Sequence, residues 1–120
     1  MTLFERDSSG TLTLIGGYSA TSGLYHFPLL DTCPYSGATD VERVVLSREG
    51  TLWAWTAVTA APPGYEGPVP YGFGVVELTK EKLRIVTRLR EPDPAKLSFG
   101  QTMTLTADEL PNGMVTWAFA

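Results

Sequence analysis

Thiol and imidazole groups are scarce in this chain, which has one cysteine and one histidine among its 120 residues. A single cysteine excludes a disulfide within the chain and suits a reducing compartment. A single histidine excludes a metal site built from several imidazoles. Cys33 and His26 could act as a nucleophile and a base, but Cys33 precedes a proline and begins no predicted helix that would lower its pKa. The sequence therefore predicts no catalytic residue, with Cys33 packed inside and His26 on a strand surface.

Positive charge is also limited, since nine Lys and Arg face thirteen Asp and Glu, and the net charge is −4 with a pI near 4.8. The cations are scattered along the chain, which argues against nucleic-acid binding dominated by phosphate contacts. No apolar run is long enough to span a membrane, and the N-terminus has no recognisable export signal. We therefore expect a cytoplasmic protein that does not associate with a membrane.

Apolar residues are abundant enough for a packed core, because they make up 43% of the sequence. A chain of this length buries about two thirds of its unfolded surface, as one domain or as one small domain with an appendage. From residue 51 onward it breaks into five β-rich runs separated by turn residues. These runs cover residues 51–59, 71–78, 83–89, 102–106 and 115–120.

The connections between the runs predict how the strands join. Residues 79–82 form a loop tight enough for a hairpin between the second and third runs, and Asn112-Gly113 predicts a turn before the fifth. Two prolines between the third and fourth runs exclude a long helix but allow one short helical turn after Pro94. Five strands interrupted at this point are typical of an OB-fold barrel, although an SH3-like barrel and an open meander fit the same pattern.

The upstream part of the chain is predicted as a separate N-terminal segment, residues 1–47, ahead of the barrel at residues 48–120. Residues 41–47 are β-branched enough for a strand, although their apolar spacing also fits a helix. The short loop ending at Gly50 favours a hairpin between this strand and the first barrel strand. Two further short strands are predicted at residues 12–15 and 24–27.

The N-terminal segment has the spacing of a four-ligand zinc ribbon, because Ser19-Ala-Thr-Ser22 is followed after ten residues by Cys33-Pro-Tyr-Ser36. Zinc is held in such ribbons by ionised thiolates, whereas a serine hydroxyl stays protonated near neutral pH and is a poor ligand. Ser19, Ser22, Cys33 and Ser36 therefore predict a degenerate ribbon that holds no metal. An ordinary loop rich in serine and glycine is the alternative interpretation.

Several short motifs follow the degenerate ribbon positions or lie among them. They are Phe27-Pro28, Cys33-Pro34, Gly50-Thr51-Leu52 leading into Trp53-Ala-Trp55-Thr56, Pro68-Val-Pro70-Tyr71 and Val75-Val-Glu77-Leu78. In their order and spacing, the chain from about Gly16 to Ala120 resembles the zinc-ribbon and OB-fold proteins that accompany thiolases and related acyl-CoA enzymes, a family long catalogued as a domain of unknown function. The resemblance implies an all-β fold, with a five-stranded OB-fold barrel preceded by a zinc-ribbon-like segment.

The resemblance also implies a role in a complex. Members of the family usually have no catalytic residues, bind a thiolase-like, synthase-like or hydratase-like catalytic subunit, and help to form or cover its acyl-CoA channel. The family pattern has four cysteines in its ribbon, so the serines of this chain imply that zinc binding does not carry over. No cofactor is then expected on this chain alone, and a coenzyme A thioester is expected only in the complex.

The surface feature best suited to a partner is the loop over residues 60–71, between the first two barrel strands. Its four prolines lower the entropy lost on binding, and its tyrosines combine aromatic area with a polar tip. Arg84, Arg88 and Arg90 share one parity on and after the third strand, where they could meet phosphates or a partner's acids. The candidate residues for binding a partner or acyl-CoA are Tyr65, Pro68, Pro70, Tyr71, Phe73, Arg84 and Arg88. Alternatively, the loop packs on its own barrel and the arginines only solvate an outer face.

Two functions of different classes follow from these features. The first is a non-catalytic accessory subunit of a thiolase-type acyl-CoA-processing complex, in which this chain shapes the acyl-CoA channel and stabilises the catalytic partner. The second is an OB-fold module for single-stranded nucleic acid that uses Tyr71, Phe73, Arg84 and Arg88, and the acidic net charge weakens it. The chain has three tryptophans, Trp53, Trp55 and Trp117. They are better suited to the barrel core or to a subunit interface than to base stacking.

Overall fold

A computed structural model describes residues 3–65, 67–111 and 113–120, and it is all-β apart from one turn of 3₁₀-helix at Pro94–Lys96. The strands are β1 (Phe4–Arg6), β2 (Leu12–Ser19), β3 (Leu24–His26), β4 (Val41–Val45), β5 (Glu49–Val58), β6 (Tyr71–Leu78), β7 (Leu83–Leu89), β8 (Thr102–Glu109) and β9 (Val115–Phe119). No helix within these described residues has the length and hydropathy needed to cross a membrane.

The last five strands close into a barrel in the order β5-β6-β7-β9-β8. All neighbouring strands pair antiparallel except β7 and β9, which close the barrel through a parallel pair at Leu89 and Phe119. The predicted five-stranded OB-fold barrel is therefore confirmed, and closure rules out the open meander. Burial alternates along β6 and β7, because every second side chain points into the barrel.

The predicted connections within the barrel are largely confirmed. β6 and β7 form a hairpin whose last pair is Leu78 and Leu83. The 3₁₀ turn begins at Pro94, as predicted, and Asp93 caps it by accepting a hydrogen bond from the Ala95 amide at 3.0 Å. Before β9 the chain turns at Gly113, whose φ of 82° suits glycine, while Asn112 lies outside the described residues.

The N-terminal strands form a second sheet around β2. β1 and β3 pair with β2, and β4 also pairs with β2, so residues 41–45 are a strand and not a helix. The predicted hairpin between β4 and β5 is wrong, because β4 pairs with β2 and Gly50 lies inside β5. Gly50 is needed there for close backbone approach, since an added Cβ would lie 2.5 Å from the Glu77 carbonyl oxygen.

One hydrophobic core joins the sheet to the barrel. Leu12 and Leu14 of β2 pack with Leu46 into the same buried cluster as the barrel side chains. Burying each such leucine contributes about 1.5–3 kcal/mol. Arg48 fastens the junction, because its Nε donates to the Leu12 carbonyl at 3.0 Å and its Nη2 donates to the Leu105 carbonyl at 2.9 Å.

Candidate functional site

The proline-rich loop between β5 and β6 is fastened by two tyrosines and one arginine. The rings of Tyr65 and Tyr71 lie 5.0 Å apart between centroids, and the Tyr65 hydroxyl donates to the Pro68 carbonyl at 2.9 Å. Arg88 on β7 donates from Nη1 to the same hydroxyl at 3.1 Å. Tyr65 therefore links the described part of the loop to the barrel, while Pro68 and Pro70 remain exposed.

Arg88 is the centre of this cluster. Its guanidinium carbon lies 4.8 Å from the Tyr71 ring centroid and 5.4 Å from that of Tyr65, within the range of cation–π attraction. Its Nη2 pairs with Asp108 of β8 at 3.3 Å, and its side chain is only 18% exposed. Because the pair is largely shielded from water, removing either partner would leave an uncompensated charge.

A surface depression of about 360 Å³ opens beside Arg88. Its lining combines an arginine pair, an aromatic ring, apolar prolines and one carboxylate. The residues are Pro68, Pro70, Tyr71, Arg88, Leu89, Arg90, Pro92 and Asp108. A depression of this kind can accept an extended, partly polar group against its apolar wall, with the guanidinium groups facing an anion.

The predicted partner-binding residues fall into two places. One group comes together around the loop and consists of Tyr65, Pro68, Pro70, Tyr71 and Arg88. Phe73 lies directly opposite Arg88 on the neighbouring strand. Arg84 does not join them, although the predicted shared parity is correct and its side chain lies on the same outer side of β7 as that of Arg88.

Arg84 instead belongs to a second cluster at the other end of the hairpin. Its guanidinium carbon lies 3.8 Å from the Trp53 ring centroid, and its Nε lies 3.6 Å from a Glu77 carboxylate oxygen. The edge of the Phe99 ring packs against Trp53 at 5.4 Å between centroids. Phe99, which lies in the loop before β8, was not singled out from the sequence.

The two tryptophans of β5 do not share one side of the strand. A bulge between Leu52 and Ala54 turns Trp53 to the outer surface, whereas Trp55 packs against the core and donates from Nε1 to the Pro94 carbonyl at 3.0 Å. Trp117 also packs against the core, where the rings of Phe4 and Phe27 meet it. Trp55 and Trp117 are thus partly buried side chains that pack against the core.

The four degenerate ribbon positions lie on two turns of matching geometry. The Gly23 amide donates to the Ser19 carbonyl, and the Gly37 amide donates to the Cys33 carbonyl, each at 2.8 Å. Both glycines have a positive φ, 68° and 74°. The two turns also touch each other, because the Cys33 thiol donates to the Ser22 hydroxyl at 3.4 Å. Ser19, Ser22, Cys33 and Ser36 therefore lie as two facing turns rather than as an unrelated loop.

The hydroxyls around Cys33 change its acidity. Hydrogen bonds from Ser22 and then Ser36 lower the pKa of the Cys33 thiol from 9.0 to about 6, assisted by backbone amides of the second turn. One thiolate among three hydroxyls does not fit zinc, which requires soft, ionised ligands on all sides of a structural site. Within the described residues, no three His, Cys, Asp or Glu side chains are grouped so as to hold a metal ion.

Asp40 connects the first turn to the chain that follows the second. Its carboxylate accepts from the Ser19 hydroxyl at 2.6 Å, from the Thr21 amide at 2.9 Å and from the Thr21 hydroxyl at 2.8 Å. These hydrogen bonds, with that from Ser19 first, lower the pKa of Asp40. Asp40 was not singled out from the sequence, because no motif marks a carboxylate four residues beyond the second turn.

His26 is buried, so its predicted place on a strand surface is wrong. Its ring fills the space beside Gly17, where any larger residue would collide with it. Nε2 accepts from the Leu30 amide at 3.3 Å, and burial lowers the pKa of the imidazole. Cys33 is buried as predicted, and its hydrogen bond goes to Ser22 and not to His26. The two residues therefore do not form a nucleophile–base pair.

Residues 43–108, more than half of the chain, match the family model described as the C-terminal OB-fold domain of ChsH2. A DUF35 domain-containing scaffold protein of Pyrococcus furiosus is 27% identical over 81% of this chain and 70% of its own length. The benzoylsuccinyl-CoA thiolase subunit BbsA of Thauera aromatica is 33% identical over 72% of this chain and 59% of its own length. The solved Ltp2-ChsH2(DUF35) aldolase has a TM-score of 0.70 and 25% identity, covering 89% of this chain and 83% of the matched chain.

Proposed function

Because the chain belongs to the family of ChsH2 C-terminal OB-fold domains, we propose that it is a non-catalytic accessory subunit of an acyl-CoA-processing complex. A thiolase-like subunit, or a synthase-like or hydratase-like one, carries the nucleophile and performs the bond chemistry. Relatives named as a scaffold protein, as a thiolase subunit and as part of an aldolase complex support this role. The chain contributes surface and shape to the substrate channel and stabilises the catalytic subunit.

The observation that carries the proposal is the ordered cluster of Tyr65, Tyr71 and Arg88 under an exposed proline-rich loop. Since the loop is already fixed, it loses little conformational entropy when a partner covers it. The depression beside Arg88 then becomes one wall of the acyl-CoA channel, with Arg88 and Arg90 near the anionic end of coenzyme A. The chain holds no cofactor by itself in this proposal.

Single-stranded nucleic acid is the competing ligand for the same barrel surface. Binding of single strands requires aromatic and basic side chains on the outside of β6 and β7. The side chains there are Tyr71, Phe73, Arg84 and Arg88. However, Glu77 and Asp108 already pair with the two arginines, so an approaching phosphate meets carboxylates as well. The net charge of −4 adds to that repulsion.

Co-expression with a candidate thiolase-type catalytic subunit tests the proposal. We expect the two polypeptides to co-elute in gel filtration as one species of defined stoichiometry by light scattering. Two separate peaks, each with the mass of one polypeptide, would contradict the accessory role.

A further inference from the structure

One broad surface of the barrel is left open by the described residues: the outer side of β5, β6 and β7. Across the β6–β7 hairpin, Phe73 lies opposite Arg88, and Glu77 lies opposite Arg84. The N-terminal sheet packs elsewhere, with Phe4 and Phe27 against Trp117 of β9. We call this surface the β5–β7 face, and its members are Trp53, Phe73, Arg84, Val86, Arg88 and Phe99.

The β5–β7 face is more apolar than an ordinary solvated surface. Val86 is 60% exposed and Phe99 66% exposed, and the rings of Trp53 and Phe73 are also more than one third exposed. Aromatic side chains and arginine are the residue types that most often dominate binding energy at protein interfaces. A contiguous apolar group of this kind, bordered by polar residues, marks an interaction site.

The charge of this surface is opposite to that of the rest of the chain. Residues 77–90 contain five of the nine Lys and Arg but only two of the thirteen Asp and Glu. One of those two acids, Glu81, is buried and accepts hydrogen bonds from the Ser47 amide at 2.8 Å and the Ser47 hydroxyl at 3.0 Å. An otherwise acidic molecule therefore presents a basic border around this apolar centre.

The aromatic centre is held in place before any partner arrives. Arg84 lies over the Trp53 ring, and the Trp53 Nε1 donates to Glu77 at 3.1 Å. Phe99 packs edge-on against the same ring. Side chains already held in this way lose less rotamer freedom on association, which favours binding by a rigid surface.

We propose that the catalytic subunit of the complex sits on the β5–β7 face, and that its matching surface is apolar at the centre and acidic at the rim. This inference rests on the accessory role proposed above and adds the position and chemistry of the interface. The face continues through Phe73 and Arg88 into the proline-rich loop, so one partner can cover both. Because Glu77 and Asp108 already pair with Arg84 and Arg88, acidic residues at the partner's rim would meet Lys80, Lys82 and Arg90.

The test compares two valines of nearly equal exposure, Val86 on the β5–β7 face at 60% and Val45 on β4 at 58%. Each is changed to Glu, and affinity for the purified catalytic subunit found to co-elute with this chain is measured by calorimetry. Because both side chains are solvated, both variants should keep the wild-type circular dichroism spectrum. We expect Val86→Glu to weaken binding about 30-fold or more, as at an interface hot spot, and Val45→Glu to bind like wild type.

The outcomes separate this inference from the accessory role. If Val86→Glu binds with wild-type affinity, or if only Val45→Glu loses affinity, the β5–β7 face is not the interface. The accessory role would remain intact in either case. Failure of the unmodified chain to bind would overturn both. Salt-sensitive binding of a labelled oligothymidylate that Val86→Glu abolishes would assign the face to nucleic acid and would also overturn the inference.

Discussion

At the scale of single residues, Cys33 has the most unusual chemistry in the molecule. Its thiol is buried, yet the hydroxyls of Ser22 and Ser36 stabilise its ionised form and lower its pKa to about 6. Burial alone would raise the pKa of a thiol. Hydrogen bonds from these hydroxyls therefore outweigh the effect of desolvation on the pKa of the Cys33 thiol.

This balance predicts a pH-dependent stability that depends on Cys33. A folded pKa of about 6 against 9.0 in the unfolded chain means that the stabilisation is complete above pH 9 and is lost as the pH falls through 6. The melting temperature of the wild type, minus that of Cys33→Ser, should rise with pH across this interval. Thiolate absorbance at 240 nm, with Cys33→Ala as the blank, should titrate with a midpoint near 6. A midpoint near 9 would show that the hydroxyls do not stabilise the thiolate.

Predictions of burial for single residues were correct where the polarity of the side chain alone decides whether it is buried. Cys33 is a small apolar side chain, and its burial was predicted correctly. His26 was misplaced because its burial depends on Gly17, on a different strand, which leaves room for the ring. Pairing of that kind is not visible in the sequence around His26 itself.

At the scale of elements, the two facing turns of the N-terminal segment share one backbone geometry. Matching carbonyl–amide hydrogen bonds and positive-φ glycines define both turns. Asp40 provides a hydrogen-bonded link between the first turn and the chain after the second, which is the kind of cross-connection that a bound metal would supply. The turns therefore remain folded through hydroxyl and carboxylate contacts.

Restoring the thiols should restore the metal site. The triple variant Ser19→Cys, Ser22→Cys and Ser36→Cys places four cysteines on the two turns, and we expect it to bind about one zinc per chain and to gain thermal stability. Elemental analysis gives the stoichiometry, and cobalt substitution should produce the absorption of a tetrahedral thiolate site. The matched control moves the three cysteines to the exposed positions Ser8, Ser9 and Ser98. Equal zinc content in both variants would show that the turns are not a ribbon frame.

The strand elements other than β1 were predictable from composition, but their pairing was less so. Residues 41–45 were recognised as a strand from β-branched composition, yet their partner was predicted as β5 when it is β2. A glycine near the start of a strand can either form a turn or allow another backbone to approach closely, and the sequence does not distinguish the two. Gly50 allows close backbone approach. The bulge that exposes Trp53 likewise breaks a regular alternation without any local marker.

At the scale of the whole molecule, the closed barrel and its attached sheet form one body with one core. The barrel could be predicted because each of its strands carries a recognisable apolar run and most of its connections carry glycine or proline. The proline-rich loop and Arg88 were named separately as candidates from residue type, and the contact between Tyr65 and Arg88 was not predicted. Phe99 and Asp108 were missed as members of the two clusters because they come from distant loops and strands.

In the proposed complex, this chain contributes surface and shape while another polypeptide performs the chemistry. The most direct test measures thioester turnover by the isolated chain, by the assembled complex, and by complexes carrying either Cys33→Ser in this chain or a Ser in place of the partner's nucleophilic cysteine. We predict no turnover by the isolated chain, activity in the complex that survives Cys33→Ser, and loss of activity only when the partner's nucleophile is replaced. Turnover by the isolated chain that disappears on replacing Cys33 or His26 would contradict the account.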